Sequence, residues 1–228
     1  MKHYKYFFLI LVFISVGYSF VFGQDDTRVY IAKAISNNCS YLNGNAIQGY
    51  KLCLIPKGKT EIPVVMCEYS SGTWFSEYND EEKIKILEEL LSFEGDTSIC
   101  SKKVCNYGSK KFKKPKTLLY STQIDALYLF TNFVVSSYAP TYCPFPVIYD
   151  KVKKKEVNFD QHKISEIFKL YRVWLANLKL NGSAKFKVPL NDSRFEWFGT
   201  QSFFGYYKEN FWIYGIYPSG RVTGVCVD

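Results

Sequence analysis

Histidine is nearly absent from this 228-residue chain: there are two, His3 and His162. A zinc site built on two or more histidines is therefore excluded once the N-terminal segment is set aside, and a Ser-His-Asp or Cys-His arrangement would have to use His162. The chain also lacks a Gly-rich phosphate loop, Gly-x-Ser-x-Gly, His-Glu-x-x-His and Cys-x-x-Cys, the short motifs that place a nucleophile, a phosphate or a metal. No catalytic residue, metal ligand or cofactor is indicated by sequence. After residue 23 no run is long and apolar enough to span a bilayer, which takes roughly 20 residues. Acids are outnumbered, 21 against 29 Lys and Arg, for a formal charge of +8.

What is present begins with a secretory pattern. Lys2 and Lys5 precede an apolar run from Tyr6 to Val16, and Gly23 follows Val21 at the spacing of a signal-peptidase site. Residues 1–23 are expected to be a signal peptide cleaved before Gln24, leaving 24–228 as one exported domain that is secreted or periplasmic. Cleavage removes two lysines and no acid, so the charge falls to +6. Seven cysteines in an exported chain point to disulfides. Cys53 with Cys67 would close a hairpin, and Cys100 with Cys105 a tight loop. Cys39, Cys143 and Cys226 compete for a further bond, and an odd count leaves a thiol over. The alternative is that several are small buried apolar residues.

The pattern of elements predicts an α+β fold: an N-terminal β-hairpin, three principal helices at about 80–93, 121–137 and 160–180, and a C-terminal β-hairpin. Thr27 to Ala34 reads equally as strand or helix. Tyr50–Ile55 and Ile62–Tyr69 read as strands joined at Pro56-Lys57-Gly58-Lys59. Asn79 or Asp80 caps the first helix, whose Ile84, Ile86, Leu87, Leu90, Leu91 and Phe93 fill one half; Glu81, Glu82, Lys85, Glu88 and Glu89 read as a solvated arc. The second helix is apolar round most of its circumference, with a thin stripe of Asp125, Asn132 and Ser136, so it is expected at the centre of the core. Thr122 and Asp125 have capping-box spacing at its head. The third helix, capped by Asp160, has one broad face of Ile164, Ile167, Phe168, Leu170, Tyr171, Trp174, Leu175 and Leu178, with His162 on the polar side. The closing hairpin is read over Phe211–Tyr217 and Arg221–Val227.

Two features suggest binding. Lys102, Lys103, Lys110, Lys111, Lys113, Lys114 and Lys116 fall in a stretch without an acid, and Lys151 to Lys155 forms a second basic cluster. Such runs attract phosphate, anionic polysaccharide or an acidic protein surface. With Tyr107 and Phe112 alone interleaved, the first run offers no base-stacking platform, so nucleic acid is disfavoured. The section from Phe195 to Tyr217 carries eleven aromatic residues; Tyr206, Tyr207, Trp212 and Tyr214 are candidate contacts to a protein or sugar. The leading expectation is a non-enzymatic exported binding protein, of the inhibitor or toxin-neutralising (immunity) kind. The alternatives are a carboxylate-dependent hydrolase of polysaccharide and a structural envelope component.

Overall fold

A computed structural model describes residues 28–36, 49–60, 75–101, 104, 114–135, 145–181 and 188–200. The described part is α+β, with three helices and two small antiparallel sheets. In chain order they are β1 (Ile31–Ser36), β2 (Gly49–Leu54), α1 (Asp80–Leu91), α2 (Thr122–Val135), β3 (Ile148–Asp150), β4 (Lys155–Glu156), α3 (Gln161–Asn181) and β5 (Phe195–Trp197).

The ambiguous first element is a strand. β1 pairs antiparallel with β2, Ile31 opposite Leu54 and Ser36 opposite Gly49, so the described pairing of β2 runs back across the Asn/Gly-rich segment. The expected partner Ile62–Tyr69 lies outside the described residues. Side chains of 51–55 are all buried, and the backbone of β2 is covered on its other edge as well. Tyr50 N–H donates to Ile99 O at 3.0 Å, and Ser101 N–H to Tyr50 O at 2.8 Å. Gly49 is required at this crossing: a Cβ there would sit 2.7 Å from both Ile99 O and Ser101 N.

Helix α1 starts as expected. Asn79 caps it, accepting from Glu82 N–H at 2.8 Å while the Glu82 carboxylate accepts from Asn79 N–H at 3.0 Å. Ile86, Leu87, Leu90 and Leu91 are buried. Glu89, expected in solvent, instead turns back to the strand. Its two oxygens accept the Tyr30 and Ile31 N–H groups at 2.8 and 3.1 Å, two donors at the start of β1. Its burial outweighs those bonds and holds the carboxyl above the ordinary range.

Helix α2 is the centre of the core. Every residue from Thr122 to Val135 is buried except Tyr128 and Asn132, which are half-buried. Its N-terminus corrects the expected capping box. Thr122 and Gln123 N–H groups donate to Ser98 O and Asp96 O at 2.8 and 3.0 Å, and Ser121 O takes the next two donors. With backbone carbonyls filling the cap, Asp125 is released to strand β2, where it accepts Leu52 N–H at 3.0 Å. That donor points away from β1, since donors alternate along a strand. Farther along, Phe130 meets Tyr171 and Trp174 edge-on at 5.0 and 5.8 Å.

The 21-residue α3 has the expected Asp160 cap, from Lys163 N–H at 3.2 Å, and the expected faces: Ile164, Ile167, Phe168, Tyr171, Trp174, Leu175 and Leu178 are buried, with Leu170 at the margin. The second sheet has order β4-β3-β5. Phe195 and Trp197 point into the core on either side of half-buried Glu196. Thr131 of α2 ties this sheet to both helices. Its hydroxyl donates to Leu127 O at 2.8 Å, accepts the Trp197 indole N–H at 3.2 Å and shares a 2.6 Å bond with the Tyr171 hydroxyl. The C-terminal hairpin read over 211–227 lies outside the described residues.

Candidate functional site: a basic surface around Glu156

β3 and β4 form a hairpin closed by the loop Lys151–Lys154, with Asp150 opposite Lys155. Asp150 builds the loop. Fully buried, its carboxylate accepts Val152 and Lys153 N–H at 3.0 and 2.9 Å and the Arg194 guanidinium at 2.8 Å. Burial opposes ionisation, but the Lys153 N–H and the Arg194 hydrogen bond prevail and hold this carboxyl below its usual range. The loop therefore encloses a satisfied anion and turns its lysines outward. Lys153, Lys154 and Lys155 are exposed and Lys151 is half-buried. Lys154 adopts φ of 51°, a left-handed conformation that Gly or Asn ordinarily takes.

Glu156, at the end of β4, brings the second basic segment alongside. Its carboxylate accepts Lys116 N–H and Thr117 N–H, each at 2.7 Å, and the Thr117 hydroxyl at 2.6 Å. Thr117 is thereby turned inward, while Lys116 and Leu118 on either side are exposed, the two-residue alternation of extended chain. Lys114 is exposed two residues earlier, across buried Pro115. Two lysine-bearing segments more than 30 residues apart in sequence are thus joined at one carboxylate, and that carboxylate is engaged by backbone donors and a threonine hydroxyl. Among the described residues, Lys114, Lys116, Lys151, Lys153, Lys154 and Lys155 make no ion pair. Several basic side chains elsewhere are ion-paired: Arg28 and Lys57 meet Glu82, Lys33 meets Asp96, Arg172 meets Glu94, and Lys179 meets Glu88.

Of the residues singled out from sequence, Lys114 and Lys116 are placed on this surface. Lys102, Lys103, Lys110, Lys111 and Lys113 lie outside the described residues, as do Tyr206, Tyr207, Trp212 and Tyr214. His162 is exposed on α3. No disulfide joins two described cysteines. Cys100, at 1 % exposure, is in no disulfide, so the expected Cys100–Cys105 loop is not closed. Held by Tyr120 O on its N–H at 2.8 Å, with its side chain hydrogen-bonded to the Tyr120 hydroxyl, it behaves as a small core residue. Cys53 is disulfide-bonded, and Cys67 and Cys105 lie outside the described residues. Glu156 itself was missed in the sequence, where nothing marks an acid as the meeting point of two basic segments.

The buried and half-buried carboxylates do structural work. Glu89, Asp125 and Asp150 each accept backbone N–H groups and so hold loops and strand edges in place. No group of three His, Cys, Asp or Glu side chains suited to a metal ion occurs among them, and no described helix is long and apolar enough to cross a membrane. Compared with known proteins, the chain matches no protein family, no curated protein and no solved structure.

Proposed function

We propose that the chain is an exported, non-enzymatic binding protein, for instance of the inhibitor or toxin-neutralising kind, that captures an anionic partner on the surface around Glu156. One observation carries this reading: two distant segments bearing six lysines without ion pairs are hydrogen-bonded together at Glu156, while Asp150 and Glu156 are taken up by backbone donors, the Thr117 hydroxyl and Arg194. Unpaired charges of one sign concentrated on a small surface raise the local potential and steer an oppositely charged partner. The secretory pattern of residues 1–23 supports an extracytoplasmic place of action.

Heparin serves as a generic polyanion for the test. The variant K116Q/K153Q/K155Q is compared with K59Q/K85Q/K169Q, which removes the same net charge from exposed lysines elsewhere. The first is expected to elute from a heparin column at clearly lower salt than the second. Equal elution would show that retention follows net charge alone, and the surface would lose its claim to be a site.

A further inference from the structure

The same surface carries exposed apolar side chains among its lysines. Val152, inside the hairpin loop, is 74 % exposed; Phe159, three residues beyond Glu156, is 61 % exposed; Leu118, two residues after Lys116, is 58 % exposed. They stand where the structure has other uses for their neighbours. Asp160 N–H returns to Val157 O at 3.0 Å, and Asn158 is buried, accepting Ile148 N–H and donating to Pro146 O. That tight turn leaves Phe159 facing out. Val152 is likewise turned out, because its N–H is fixed on Asp150.

We infer that this surface docks peripherally on an anionic phospholipid bilayer, with the lysines on headgroup phosphates and Val152, Phe159 and Leu118 in the interfacial layer. The inference rests on the basic-surface reading above and names its partner. A hydrated polysaccharide satisfies lysines but offers no dry phase for three large apolar side chains. A bilayer interface takes both, since apolar groups enter the boundary of headgroups and acyl chains while lysines remain at phosphate level. The stems of Lys153 and Lys155 suit this arrangement, their methylenes lying along apolar surface with the ammonium groups kept wet. An acidic protein with an apolar pocket is the competing partner, and the experiment separates it.

The protein is purified from the exported fraction of cells expressing the full chain, and its co-sedimentation with phosphatidylglycerol/phosphatidylcholine vesicles is compared with pure phosphatidylcholine vesicles. Binding is expected to the first and not to the second. Each lysine removed weakens it about fivefold, so K116Q/K153Q/K155Q loses about a hundredfold. V152S/F159S, both at exposed positions, keeps its circular dichroism and its heparin elution but loses vesicle binding that persists at high salt in the parent. Absence of binding to the anionic vesicles, or binding that V152S/F159S leaves unchanged, overturns the lipid inference. If heparin retention still depends on the lysines in that case, the anionic-partner reading stands and an acidic protein or polysaccharide takes the lipid's place. If it does not, both readings fall together.

Discussion

Replacing Thr131 by Val tests the polar junction at the centre of the core. The two side chains have nearly the same shape, so the change opens little cavity and isolates the hydroxyl. Thr131, Tyr171 and Trp197 are all at 0 % exposure. A hydroxyl has one proton and two lone pairs. The proton goes to Leu127 O, so the indole N–H and the Tyr171 hydroxyl both donate to the Thr131 oxygen. Valine removes that acceptor. The Trp197 N–H is then buried without its partner, which costs about 1–3 kcal/mol, and one buried hydroxyl–hydroxyl bond is lost at about 1 kcal/mol. The added methyl returns somewhat less than 1 kcal/mol. The expected loss is about 1–3 kcal/mol, centred near 2, for T131V, against about 1 kcal/mol for T131S, which keeps the oxygen and gives up a methyl group. Urea unfolding followed by tryptophan fluorescence reads the difference. With a slope of about 2–3 kcal/mol per molar urea, T131V lowers the midpoint by about 1 M with the slope unchanged. A T131V protein as stable as T131S would refute the reasoning, because the hydroxyl would then contribute no more than the methyl.

Two further outcomes are expected. G49A brings a Cβ against the backbone of Ile99 and Ser101, 2.7 Å from each nearest atom, and should cost about 2–3 kcal/mol by thermal unfolding; an unchanged melting temperature would mean that the 99–101 segment is not clamped on β2. For Glu89 the folded state holds the proton more tightly than the unfolded chain, so its contribution is full below the ordinary value of 4.5 and is lost as pH rises through the raised value. The stability of the parent relative to E89Q should therefore fall as pH rises from 4.5 toward neutrality, and a flat or rising difference in paired urea titrations would contradict the assignment.

The helices were legible because their causes are local. Asn79 and Glu82 sit three residues apart, Asp160 precedes an apolar rhythm, and the faces of α1 and α3 follow from a period of 3.6. The near-absence of a polar face in α2 announced a helix surrounded on several sides. Asp125 was misjudged for an instructive reason. Its spacing from Thr122 is that of a cap, but spacing does not reveal that Asp96 and Ser98 carbonyls already occupy the donors. Glu89 was assigned to solvent by its position on the wheel, while β1, brought back from far along the chain, presented two unpaired donors to it. The short strands β3, β4 and β5, two or three residues each, carry too few positions for alternation to register.

The candidate site divides in the same way. Sequence alone determined that the chain is basic, poor in histidine and equipped with two lysine clusters, because charge and composition need no fold to be counted. It determined the helices, whose side chains and caps interact within a few residues. Only the tertiary structure decided that the clusters meet, that Glu156 joins them, and that Asp150 is neutralised beneath the hairpin while Val152 and Phe159 are left in water. The joining of the two basic segments and the pairing of Asp150 with Arg194 depend on donors and carboxylates separated by about 40 residues, and hydrogen bonds over such separations leave no period or spacing in the chain.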